Sequence, residues 1–198
     1  AIKSDPDAAP LATRKILVED FPPERIDFDL ALPDAPVRLG DVPLMTVTAR
    51  YLFGAPGAGL DIEGRVTLRA QSAVDGLPGY VFGRHDARFN PPTEFFGGSE
   101  TDANGVADVP LTLPDIEDTG RPLEADIVVS VLEGSGRPVE RRLTHAVTPS
   151  GAMIGIKPMF EDVVPESTEA RFQITGLNAS LQPEPMNVRW TVNRVRTH

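Results

Sequence analysis

The 198-residue chain contains no cysteine. Disulfides, thiolate metal ligation and a cysteine nucleophile are therefore excluded from anything it does, and a hydrophobic core has to supply its stability. Basic residues are also scarce, with 19 Lys and Arg against 29 Asp and Glu and a formal charge of −10. Nucleic-acid binding needs a basic footprint to displace counterions, so a nucleic-acid partner is excluded. No apolar run approaches the roughly 18 to 20 residues of a membrane-spanning helix. The opening stretch, AIKSDPDAAPLATRK, lacks the apolar run of a signal peptide. Insertion of this segment into a membrane is not expected, and any targeting segment of an exported parent is expected outside it.

Proline and glycine, by contrast, are plentiful. Twenty prolines and 17 glycines leave few windows free of both that reach the roughly 11 residues of a mean helix. The composition, 40% hydrophobic and 24% charged, is that of an ordinary globular protein. Its uninterrupted windows alternate apolar and polar residues, the period of half-buried strands. Ile26, Phe28, Leu30 and Leu32 share one face, with Asp27 and Asp29 opposite. Met45, Val47, Ala49 and Tyr51 alternate with Thr46, Thr48 and Arg50. Val66, Leu68 and Ala70 follow the same rule, and Val109, Leu111 and Leu113 come after an Asn104-Gly105 turn. Ile127, Val129 and Val131 lead through Gly134-Ser135-Gly136 into Val139, Leu143 and Val147, a hairpin signature.

Turn signals at such intervals, with no helical period between them, predict an all-β chain built on an immunoglobulin-like antiparallel β-sandwich. After Thr148-Pro149-Ser150-Gly151 the pattern restarts, with Ala170, Phe172 and Ile174 on one expected strand and Val188, Trp190 and Val192 on another. Two or three strands seldom make a self-sufficient sandwich. Residues 151–198 are thus expected to be the incomplete N-terminal part of a following β module, leaning on a neighbour to cover its edges. Lys15–Glu19 reads as a short strand entering the extended prolines of Phe21-Pro22-Pro23. Residues 1–23 are expected to be the end strand and linker of a preceding module, and 24–150 a complete sandwich.

Residues with chemical potential do not converge. Asp102, Asn104 and Asp108 around Gly105 faintly suggest a calcium loop, but the fuller ligand series and the closing Glu are missing; an Asn-Gly hairpin turn accounts for the same residues. Arg84-His85-Asp86 sets an imidazole beside a carboxylate, yet adjacent strand side chains point to opposite faces, and Ser99 after Gly97-Gly98 lacks a nucleophile elbow. His85, His145 and His198 have no metal-ligand spacing. Catalytic residues, cofactor sites and metal ligands are accordingly assigned as none. Arg189, Arg194 and Arg196 read as a solvated strand face with Trp190 opposite, in the core. Five of the twelve aromatics, Tyr80, Phe82, Phe89, Phe95 and Phe96, fall within residues 80–96. They form the one candidate interaction surface, a platform for carbohydrate or protein. Filling of the roughly 10 Å inter-sheet space is the competing explanation.

The strings KILVEDFPPERIDFDL, ARYLFGAPGAGLDIEGRVTLRA, LPGYVFGRHD, SETDANGVADVPLTLP and MIGIKPMFEDVVPES, spread over residues 15 to 167, resemble bacterial alpha-2-macroglobulins. Arg50-Tyr51-Leu52-Phe53-Gly54, an aromatic-rich strand ending in glycine, is also similar to complement and animal macroglobulin modules. The resemblance implies a macroglobulin domain within a large, periplasmic or envelope-bound and often lipid-anchored inhibitor. Such a protein traps endopeptidases when they cleave a bait segment, in many members through a thioester formed by a Cys-x-Glu-Gln motif. With no cysteine, this chain cannot hold that centre. The implied role is structural and non-enzymatic, with neighbouring macroglobulin domains as partners and target proteases engaged only through the full-length protein.

Overall fold

The computed structural model describes residues 25–193 apart from 85–87, 119 and 135. The expectations for Lys15–Glu19, Phe21–Pro23, His85, Asp86, Arg194, Arg196 and His198 lie outside the described residues. Among those described there are eleven strands and no helix: β1 (Ile26–Ala31), β2 (Val37–Arg38), β3 (Leu44–Tyr51), β4 (Asp61–Ala70), β5 (Val81–Phe82), β6 (Thr93–Glu100), β7 (Val106–Pro110), β8 (Leu123–Leu132), β9 (Val139–Thr148), β10 (Met153–Pro158) and β11 (Phe172–Leu177).

They form three sheets. One has the order β1-β3-β7, a second β2-β9-β8-β4-β6, and a third β11-β10-β5. All pairings are antiparallel except the two-residue β2, which runs parallel to β9. The first two sheets face each other across one core. Ile26 and Phe28 of β1, Met45, Val47 and Ala49 of β3, and Val109 beyond β7's start meet Ile62, Val66 and Leu68 of β4, Ile127, Val129 and Val131 of β8, and Val139 and Val147 of β9. These are the alternating positions of the sequence, and each fully buried aliphatic or aromatic side chain contributes about 1.5–3 kcal/mol. The hairpin through Gly134 forms with Ile127 opposite Leu143 and Val131 opposite Val139.

Polar side chains brace this sandwich. On the outer surface of β8, buried Asp126 accepts hydrogen bonds from Arg69 of β4 at 2.8 Å and from two nitrogens of Arg142 on β9. The Arg142 bond, chiefly, and then Arg69 hold its carboxyl below the usual carboxylate range against the opposing effect of burial. At the open edge between the sheets, Arg141 of β9 donates to Asp27 of β1 at 3.0 Å and lies 5.6 Å over the ring of Phe28. Arg50 of β3 bridges Asp27 and Asp29. Asp27 is likewise held low, first by its bond to Arg141.

Two glycines are dictated by close approach. A Cβ at Gly64 would lie 2.3 Å from the Val128 carbonyl oxygen and 2.5 Å from the Phe96 ring, which covers this gap in β4. Gly105 has φ +79°, and a Cβ there would lie 2.3 Å from the Ala49 carbonyl oxygen. Only glycine fits that approach, and it adopts positive φ without strain.

Several expectations need correction. β11 begins at Phe172, leaving Ala170 outside it, and both Phe172 and Ile174 are exposed. Val188–Val192 is not a strand, and Trp190 is 71% exposed rather than in a core. Alternation makes a strand only where a neighbouring strand takes up the backbone hydrogen bonds, and among the described residues no strand pairs with this segment. β2, β6 and β10 were not read from the sequence, β2 because two residues carry no period and the other two because glycine or proline interrupts them, and Leu111 and Leu113 lie beyond the end of β7.

Phe28→Ala is expected to cost about 3–5 kcal/mol, measured as a lower urea midpoint, while Phe95→Ala stays within about 0.5 kcal/mol. The depressed carboxyls of Asp27 and Asp126 stabilise the fold above the unfolded carboxylate range, and this contribution is lost as pH falls through their folded values. The urea midpoint should therefore hold from pH 7 to about 5 and decline below about 4. Asp126→Asn should lower it at pH 7 and flatten the decline.

Candidate functional site

The candidate chemical residues serve the fold. Asp102 caps the turn before β7: its carboxylate accepts from the backbone N–H of Asn104 at 2.8 Å and of Val106 at 2.9 Å, and these bonds lower its pKa. Asp108, the other carboxylate of the supposed calcium loop, accepts from the Thr46 hydroxyl at 2.8 Å on the neighbouring strand. Among the described residues, no group of three His, Asp or Glu side chains could hold a metal ion. Ser99 lies on edge strand β6 and His145 on β9, with β4 and β8 between them. Three strand spacings alone put at least about 14 Å between them, far beyond proton-transfer reach. The His145 ring nitrogen Nε2 is 3.1 Å from the Ala35 carbonyl oxygen.

The aromatic set of residues 80–96 is not brought together. Phe89 and Phe96 are half-buried against the main core. Phe82 is fully buried in a second, smaller core with Val74, Met153 and Leu177, against which Tyr80 packs. Phe95 alone projects outward, 74% exposed. A different set of apolar groups forms the most continuous exposed face. In the third sheet β10 carries Met153, Gly155 and Lys157 on one side and Ile154, Ile156 and Pro158 on the other. The first side faces the second core, where the Phe82 ring sits on Gly155; a Cβ there would lie 2.5 Å from the ring. On the opposite side Val81, Ile156 and Ile174 stand in register across all three strands, flanked by Ile154 and Phe172, all exposed. The edge of the Phe172 ring meets Phe160, with centroids 5.4 Å apart. The signal for this face was the MIGIKP string, in which alternate residues on both sides are apolar, as in a strand covered twice.

The joint between the sandwich and the third sheet is the other feature outside the main core. Asp118, just before β8, accepts from the Ser150 hydroxyl at 2.6 Å, the Ser150 N–H at 2.9 Å and the Gly120 N–H at 2.8 Å. Burial pushes the Asp118 carboxyl up, but these bonds together outweigh it and leave the pKa lowered. Fully buried Thr148, at the end of β9, donates to the Ala179 carbonyl at 3.1 Å, past the end of β11. Lys157 of β10 donates to the Pro78 carbonyl at 3.1 Å and lies 5.8 Å over the Tyr80 ring, while the Tyr80 hydroxyl is 3.3 Å from Gln173 of β11. The β4–β6 connection is thereby fastened to the third sheet, which sequence reading missed because every one of these contacts is distant along the chain.

With this geometry in hand, comparison with known proteins is informative. The family described as the bacterial alpha-2-macroglobulin MG5 domain matches residues 24–149. Alpha-2-macroglobulin of Escherichia coli (strain K12) is 36% identical over 144 residues, covering 72% of this chain and 9% of that protein. The Xylella fastidiosa (strain Temecula1) alpha-2-macroglobulin is 30% identical over 177 residues, covering 85% of this chain and 10% of its own length. The chain thus spans about a tenth of the curated relatives it matches. Among solved structures, Escherichia coli alpha-2-macroglobulin activated by porcine elastase superposes with a TM-score of 0.62 at 33% identity, over 82% of this chain and 15% of that one. The native conformation of the same protein gives 0.61 at 30% identity, over 84% and 11%. A sandwich with three strands facing five, a family match over nearly all of it, and relatives of which it is a small share lead to one conclusion: this chain is a segment of the bacterial alpha-2-macroglobulin family, its sandwich an MG5 domain.

Proposed function

We propose that this segment is non-enzymatic scaffold of a larger protease-trapping inhibitor, holding neighbouring domains in place while bait cleavage and covalent capture occur elsewhere in the parent protein. The observation that supports this reading is the use made of its buried polar groups. Asp126, Thr148 and Thr101, the last bonded to Gly57 and Leu60, bond to other parts of the framework, and none is aimed into a cleft. Solved relatives are described as activated by trypsin and by porcine elastase, which is the behaviour expected of the parent. On this reading residues 1–23 end a preceding module, 24–150 are one complete domain and 151–198 begin the next. The parent resides in the periplasm or cell envelope, and its partners are neighbouring macroglobulin domains and, through the whole protein, endopeptidases.

The exposed row of Val81, Ile156 and Ile174 favours an incomplete second module, because an apolar sheet face of this kind normally meets a second sheet. A carbohydrate platform would need several aromatic faces side by side, and of the 80–96 set only Phe95 is strongly exposed.

Two experiments test this. The purified chain in molar excess should leave trypsin and elastase hydrolysis of a protein substrate unchanged; potent inhibition would contradict a scaffold role. Ile156→Asp should shift the stability of the 198-residue chain by no more than about 0.5 kcal/mol. In a chain extended through the following domain, it should cost about 2–5 kcal/mol by denaturant unfolding. Equal effects in both would show that no second sheet covers this face.

A further inference from the structure

We propose that the β4–β6 connection is a strap that locks the sandwich and the third sheet into one rigid joint, so that the two turn together rather than hinge at Pro149–Ala152. β4 and β6 are adjacent antiparallel strands, and a hairpin between such neighbours needs only about 2–5 residues. The chain instead runs from Ala70 to Thr93, leaves its own sheet, and contributes β5 as the third strand of the next one.

The strap is anchored at three places. At its start the Gln71 N–H donates to the Pro122 carbonyl at 2.8 Å, beside the first residue of β8. Just after β5, Gly83, with φ +75°, lies so close to Arg121 that a Cβ would sit 2.5 Å from that side chain. Between them it supplies half of a buried cluster: Val74 and Phe82 come from the strap, Met153 and Leu177 from β10 and β11. Phe82 is the keystone. Its backbone N–H donates to the Ser72 carbonyl at 3.0 Å, which folds the strap back on itself. Its ring occupies the space left by the missing Cβ of Gly155.

Modules joined by a short linker move relative to each other unless a large hydrophobic interface prevents it. Here rotation about Ser150-Gly151 would expose the Phe82 cluster, break the β5–β10 pairing, pull Lys157 from Pro78, and separate Thr148 from Ala179. These contacts come from stretches far apart along the chain, residues 74–82 and Ala179, so a hinge at the linker has several of them to break. The consequence is mechanical. A displacement imposed on the third sheet reaches the sandwich undiminished, and any flexing of the parent takes place at other joints. The inference concerns this joint alone and stands whether or not the parent traps proteases.

The absence of cysteine makes the test direct. Spin labels on Asp61→Cys, on β4, and Ile174→Cys, on the exposed side of β11, report the inter-module distance in the otherwise unmodified 198-residue chain. A single narrow distance distribution is expected; a broad or two-peaked one would overturn the proposal. Hydrogen exchange on Phe82→Ala gives an independent readout. Amides of β10 and β11 should lose protection ten-fold or more while those of β8 keep theirs. Unchanged protection in β10 and β11 would refute the strap, because the sheet would then be held without it.

Discussion

Two constraints act on every strand of this chain at once: its backbone groups must find a neighbouring strand, and its apolar side must find another apolar side. An unpaired buried backbone group costs as much as a lost hydrogen bond, and the dry layer between sheets is the main source of favourable free energy. β8 meets both demands most fully. It is paired with β4 along its whole length and with β9 from Leu123 to Val131, its inner residues Ile127, Val129 and Val131 form the centre of the core, and its outer face is partly covered as well. That outer cover explains Asp126. A carboxylate this buried is tolerable only because two guanidinium groups, from the strands on either side, surround it. The same charge cluster ties β4, β8 and β9 together.

The two constraints are met less evenly further along the chain. β10 has neighbours on both edges, but only one of its faces is covered. On that covered face Phe82 and Gly155 fit as a ring over a glycine, the same device that places Phe96 over Gly64 in the sandwich. In both places an aromatic side chain on one strand fills a gap on the adjacent one, and the glycine cannot be enlarged without displacing the ring or the backbone behind it. The uncovered face carries the row of Val81, Ile156 and Ile174, all exposed.

Several carboxylates of this segment are committed to its framework. The carboxylates of the supposed calcium loop, Asp102 and Asp108, and that of Asp118 at the joint all accept hydrogen bonds that shape a turn, a strand pairing and the joint. The same bonds hold the Asp102 and Asp118 carboxyls below the usual carboxylate range. Each such bond removes a degree of freedom from the framework.

Much of the sandwich was legible in the order of residues, and the reason is local. The period-2 alternation at Ile26–Phe28, Met45–Ala49 and Ile127–Val131 is a property of neighbours along the chain, as are the Asn104-Gly105 and Gly134 turns; strand identity, inward face and the β8–β9 hairpin follow from them. The family strings, too, are local patterns. What the sequence could not decide was anything that depends on who sits opposite. Trp190 alternates correctly but has no partner strand, so it is exposed; Val81–Phe82 has no period of its own, yet becomes a strand because β10 offers it an edge. The five aromatics of residues 80–96 are close in sequence and were dispersed by the strap's excursion to the third sheet. By itself the sequence determined that this is an all-β chain with one main sandwich core and no cysteine chemistry. Only the tertiary structure decided which side chains share a surface, because burial and edge pairing are set by residues far away along the chain.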